Sequence, residues 1–236
     1  KNAFLDKELL DEMKLTSANS INVARWLPQL FYFLFAYKQV KSKGKEIVFS
    51  VPSGNFGNIC AGLVAQRLGM PVKHFVAATN VNDTVPQFML TKEYIPKPST
   101  ATISNAMDVG DPSNFIRIRH LFKGDFEALK KNLSSYPFDD NKTKEALKEI
   151  YNINGYIADP HGAVGYLGLK KYQEQYPDTY GIFLETAHPV KFLDIVEKTL
   201  NEKLEIPAQI QKVMGKIKKS IKISNYEGLK GFLLKS

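Results

Sequence analysis

Apolar and polar positions along this chain follow two rhythms. Short β-branched and aromatic runs at residues 47–51, 72–78 and 180–184 have the length and composition of buried strands. Between them lie stretches with a helical period. Residues 59–68 close on Gly69 with Pro71 just beyond, a helix-stop signal. Asp159-Pro160 supplies a cap and a first-turn proline for a helix running to about Tyr176. Residues 3–15, 83–90, 115–133, 142–151 and the stretch after Pro189 to about Leu200 also read as helices. Residues 22–40 read as one long helix, apolar around most of its girth and therefore buried. Residues 96–114, with Pro96, Pro98, Gly110 and Pro112, form a loop long enough to be functional or mobile.

Strand, Gly-rich loop, helix and strand in succession imply parallel strands joined by a right-handed crossover. The expected fold is therefore α/β, a three-layer arrangement of a mostly parallel sheet flanked by helices. Residues 1–16 are expected to be a remnant of a preceding region and residues 17–200 the α/β domain. Residues 201–236 are expected to be a peripheral extension, helical and Lys-rich from about Pro207.

Composition adds exclusions. A chain of 236 residues can bury a sizeable core. The formal charge of +8 is spread out; its densest stretch, residues 212–222, reads as a solvated helix face. No basic patch is interleaved with aromatics, so nucleic acid is not an expected partner. The apolar run at residues 26–37 falls short of the ~20 residues a membrane span needs. Cys60, the sole cysteine, excludes an internal disulfide, fits a reducing and hence cytoplasmic setting, and reads as a small core residue. His74, His120, His161 and His188 lack metal-ligand spacing. The chain opens on Lys1 without a methionine or signal peptide, as a piece of a longer protein would.

Three places could carry chemistry. Ser53-Gly54-Asn55-Phe56-Gly57-Asn58 sits between a strand end and a helix start. Gly54 and Gly57 permit positive φ and close approach to a ligand, and the free amides of the next helix favour an anion. The loop matches neither the Walker nor the dinucleotide fingerprint, and a purely structural turn is the alternative. Thr186 follows a strand, where open parallel sheets bind ligands; a simple cap is the alternative. Asn19, Ser20, Asn22 and Arg25 cluster at the start of the long apolar helix. An arginine on a buried helix needs an anionic partner, either a carboxylate or a bound phosphate.

Five segments, in order, resemble the threonine synthase family. They are Ser17-Ala18-Asn19-Ser20-Ile21-Asn22, the run from Val51 to Asn58, the run from Ala77 to Pro86, Ile103-Ser104-Asn105-Ala106-Met107-Asp108-Val109-Gly110, and Thr186-Ala187-His188-Pro189. The resemblance covers most of residues 17–192 and fades beyond about Leu200. It implies a fold type II pyridoxal 5′-phosphate (PLP) enzyme, similar to the β subunit of tryptophan synthase. The intact enzyme would convert O-phospho-L-homoserine and water to L-threonine and phosphate by γ-elimination and β-addition of water. The resemblance assigns the PLP phosphate to Gly54, Asn55, Phe56, Gly57 and Asn58, and the pyridine nitrogen to Thr186. It assigns the substrate phosphate to Ser20, Asn22 and Arg25. The Schiff-base lysine of the family has no counterpart here; Lys73 and Lys191 read as surface residues. The chain alone is therefore expected to be inert, and an exposed sheet edge and cleft wall would favour its self-association. The alternatives are another fold type II enzyme acting on serine or threonine, or a non-catalytic anion-binding domain.

Overall fold

The computed structural model describes residues 2–217 and 219–235. Four parallel strands form one sheet in the order β3-β2-β1-β4, with β1 at Ile47–Pro52, β2 at His74–Thr79, β3 at Leu133–Pro137 and β4 at Tyr180–Phe183. β1 and β2 are buried at every position, as central strands covered on both faces must be.

The two faces follow from the strand period of two. Phe49, Val51, Phe75 and Ala77 join the main core beneath the Leu30–Val40 and Gly57–Arg67 helices. There Phe33 packs edge-on against Phe49 and Phe75. Val48 and Val76 point the other way, onto Leu169 and Tyr172 of the Pro160–Gln173 helix. The Asp140–Asn154 helix covers that helix in turn through Ala146, Leu147 and Ile150. Helices on both sides of a parallel sheet make the expected three layers.

Gly168 brings the Pro160–Gln173 helix low onto the sheet. A Cβ there would lie 2.7 Å from Ala78 Cβ and 2.8 Å from Ser50 Oγ. The Ser50 hydroxyl donates to the Gly165 carbonyl at 2.6 Å across the same contact. The start of this helix is thereby held at the carboxyl ends of the strands.

Three expectations need correction. Residues 22–40 are not one buried helix. Pro28 breaks the run into Val23–Trp26, a 3-10 turn at Leu27–Gln29, and Leu30–Val40. Only Trp26 and Phe33 of these three elements are buried; Phe31 is 58% and Phe35 65% exposed. Residues 115–133 are not one helix either. Lys123 and Gly124 both take positive φ and separate Phe115–Leu121 from Phe126–Asn132. β3 then begins at Leu133, in a segment without β-branched residues, and is a strand because β2 offers it an edge. Beyond Pro207 the helices among the described residues are Ala208–Met214 and Tyr226–Leu233. The second of these is tied to the chain start, where the Tyr226 hydroxyl donates to Asp6 at 2.7 Å and Lys230 pairs with Asp6 and Glu8.

Candidate active-site cleft

A cleft of about 720 Å³ opens at the carboxyl ends of β1 and β4. Its wall includes residues 18–20 and Arg25, the 54–58 loop, Ala106-Met107, and the segment 184–186. Eight of the nine residues singled out for binding therefore line one space: Ser20, Arg25, Gly54, Asn55, Phe56, Gly57, Asn58 and Thr186. Asn22 does not. Its carboxamide caps the next turn, accepting from the Ala24 amide at 3.0 Å and donating to the Ser17 carbonyl at 3.2 Å.

The 54–58 loop earns its shape differently from the sequence expectation. Positive φ falls on Phe56, at 60°, and on neither Gly54 nor Gly57. The glycines serve close approach instead. A Cβ on Gly54 would lie 2.7 Å from Met107 Cα and 2.9 Å from the Ala106 carbonyl. One on Gly57 would sit 3.1 Å from Ser20 Cβ. Phe56 buries its ring against Phe115, which fixes the strained residue. The helix that follows has no side-chain cap at its start, and both Gly57 and Asn58 of its first turn line the cleft; an uncapped helix start is a favourable place for an anion. Asn55 lines the cleft and also holds the loop. Its Oδ1 accepts from the Ser113 amide and hydroxyl at 2.7 and 2.9 Å, and its Nδ2 donates to Ser20 Oγ at 2.6 Å.

Arg25 is exposed, not buried, so no internal anion is required for it. The half-buried arginine is Arg117, which donates to the carbonyls of Ile21 at 2.7 Å and Ser20 at 3.3 Å, and to Asn114 Oδ1. It anchors the arm carrying Ser20. No sequence signal separated it from the other surface cations.

The long loop at residues 96–114 is clasped. Asn80 donates to Thr102 Oγ1 at 2.9 Å and Asp108 Oδ1 at 2.8 Å. Asn82 exchanges two bonds with Thr100, and the Thr84 hydroxyl donates to the Gly110 carbonyl at 2.7 Å. The clasp delivers Ala106 and Met107 to Gly54.

At the opposite wall, Asp159 caps its helix as expected from Asp159-Pro160. Beside it, Glu185 buries its carboxyl against Gly162, and its Oε1 has no partner. Burial first, and then the Asp159 carboxylate, push Glu185 well above the usual carboxylate range. Cys60 is a buried core thiol pushed up to about 12 by burial.

Among the described residues no lysine lines this cleft. Lys73 pairs with Glu46 at 2.9 Å, and Lys191 is exposed beside a separate surface groove. The described residues hold no group of three or more potential metal ligands and no helix long and apolar enough to cross a membrane.

This architecture is that of fold type II PLP enzymes. Maize serine racemase superposes with a TM-score of 0.53 at 18% identity, over 83% of this chain and 60% of that one, a likeness of fold alone. The threonine synthases are far nearer. The Escherichia coli (strain K12) enzyme is 46% identical over 211 residues, covering 89% of this chain and 48% of its own length. Its crystal structure superposes with a TM-score of 0.84, over 89% of this chain and 49% of that one. A PLP-bound threonine synthase from Brucella melitensis superposes with a TM-score of 0.85 at 28% identity, over 98% of this chain and 55% of that one. The family model for the C-terminal part of threonine synthase matches residues 162–232, so the resemblance runs well past Leu200. The chain matches the C-terminal part of the threonine synthases and spans about half the length of the curated relatives it matches.

Proposed function

We propose that this chain forms the cofactor-phosphate and ring-nitrogen side of a PLP-dependent threonine synthase, a carbon–oxygen lyase acting on phosphate in the cytoplasm. The observation that carries the reading is the meeting of the uncapped 54–58 cradle and Thr186 in one cleft, with Ser20 and Arg25 on the same wall. The residues fit the cofactor. The amides of Gly57 and Asn58 would hold its phosphate, and Gly54 keeps the approach free of a side chain. Thr186 would offer its hydroxyl to the pyridine nitrogen. A neutral partner there favours an unprotonated ring, and the bound cofactor supplies an electron sink for carbanions. Ser20 and Arg25 would receive the phosphate of O-phospho-L-homoserine; Arg25 is suited by its planar, permanently charged fork. Asn22 supports them by capping the turn that carries Arg25.

Among the described residues no lysine meets the cleft, and the covalent cofactor link and the general base would come from elsewhere in the full-length enzyme. The exposed Phe31 and Phe35, and β4 with its single partner strand, make self-association of this chain part of the same proposal. A strictly monomeric light-scattering profile at high concentration would count against that part.

The test is threonine and phosphate formation from O-phospho-L-homoserine by the full-length protein with PLP. Matched release of both supports the reading. PLP binding without threonine would move the assignment to another fold type II reaction. Failure of both would leave the cradle as a structural turn.

A further inference from the structure

The two sides of the cleft are joined by one carboxylate. Asp159 is 0% and His161 2% exposed. Asp159 Oδ2 accepts the Ala187 amide at 3.3 Å, next to Thr186. Its Oδ1 accepts the His161 amide at 2.7 Å and His161 Nδ1 at 2.6 Å. With its proton on Nδ1, His161 presents Nε2 as an acceptor, and the Ala106 amide donates to it at 3.2 Å. The Phe192 ring, centred 4.9 Å away, covers the imidazole. Ala106 belongs to the turn that abuts Gly54. The chain of contacts therefore runs from the Thr186–Ala187 backbone through Asp159 and His161 to Ala106, and so to the 54–58 loop.

We infer that Asp159 and His161 are a positioning pair that sets the separation between the Thr186 wall and the Gly54 cradle, and so the fit of a ligand spanning both. The inference rests on the reading of the cleft given above. Helix capping alone explains the Asp159 contact with the His161 amide. It does not explain why the second oxygen reaches Ala187, or why the imidazole accepts from a loop 55 residues away in sequence. Neither residue need touch the reacting atoms; a buried, fully partnered network is what makes such a spacing rigid.

The experiment measures amide hydrogen exchange at Ala106 and Ala187 together with PLP affinity by equilibrium dialysis. It compares the wild type with His161→Leu, His161→Gln and Asp159→Asn. His161→Leu should speed exchange at Ala106, spare Ala187, and weaken PLP binding about tenfold, the equivalent of one buried hydrogen bond. His161→Gln, whose carbonyl oxygen can accept from Ala106, should restore both. Asp159→Asn should expose both amides. Unchanged Ala106 protection in His161→Leu overturns the inference, as does altered protection with unchanged PLP affinity. Should the wild type retain no PLP, the cofactor reading of this chain falls. The pair is then judged by exchange alone: loss of Ala106 protection in His161→Leu with recovery in His161→Gln upholds it, and identical protection in all four proteins overturns it. Thermal midpoints of each variant separate unfolding from local loss.

Discussion

Ser20 Oγ accepts hydrogen bonds from Asn55 Nδ2 at 2.6 Å and Asn114 Nδ2 at 3.2 Å, so one hydroxyl joins the arm before the Val23–Trp26 helix to the 54–58 loop and to the segment behind it. Ser20→Ala would leave two carboxamide donors without their partner. The expected cost is about 1–3 kcal/mol, read as a lower urea midpoint with an unchanged slope. Since Ser20 also lines the cleft, the same variant should weaken binding of phosphate-bearing ligands.

Gly54→Ala tests the close approach to Met107. The contact is with backbone, which has no flexible end to swing aside. Overpacking of this kind costs about 1–3 kcal/mol. The cradle should open, with loss of PLP retention and a shift in the emission of Trp26, the sole tryptophan of the chain and part of the same wall. An unshifted spectrum with full PLP retention would refute the assignment of Gly54 to close packing.

Stability should fall in acid because of His74. Its Nδ1–H donates to the Lys131 carbonyl at 3.1 Å, and its Nε2 accepts from the Ser134 hydroxyl at 2.8 Å, an arrangement for the neutral ring. Burial lowers its pKa from 6.5 to about 4. The unfolded chain therefore takes up this proton first as pH drops. The stabilising contribution is fully present above 6.5 and is lost between 6.5 and about 4, amounting to about 3 kcal/mol. Denaturation midpoints compared between wild type and His74→Gln over that window should converge as pH falls.

Glu185 predicts the opposite slope. Burial and the Asp159 carboxylate raise its pKa in the folded protein, whereas the unfolded chain ionises it at the ordinary value of 4.5, so its contribution is lost as pH rises above 4.5. Glu185→Gln, which is isosteric and always neutral, should match the wild type near pH 4. Its melting temperature should exceed that of the wild type by a growing margin toward pH 8. A wild type more stable than Glu185→Gln at pH 8 would mean that the carboxylate has an unseen cationic partner.

What the sequence determined by itself was local chemistry. The short apolar runs at residues 47–51 and 72–78 were enough for β1 and β2, since a strand buried on both faces reads directly as a β-branched and aromatic run. Asp159-Pro160 and Gly69 marked helix ends because capping is settled within one turn. The spacing of the Gly54 loop and Thr186 placed both at strand ends. Tertiary structure decided what depends on distant neighbours. β3 is a strand only because the edge of β2 receives it, and the girth of residues 22–40 is exposed because Pro28 turns the run and the sheet covers only one side. Asn80, Thr102 and Asp108 form a clasp, Arg117 rather than Arg25 is the anchored guanidinium, and Asp159, His161 and Ala106 meet across the cleft. Such pairings cannot be read along the chain, because a hydrogen bond between residues 55 positions apart depends on the sheet that brings them together.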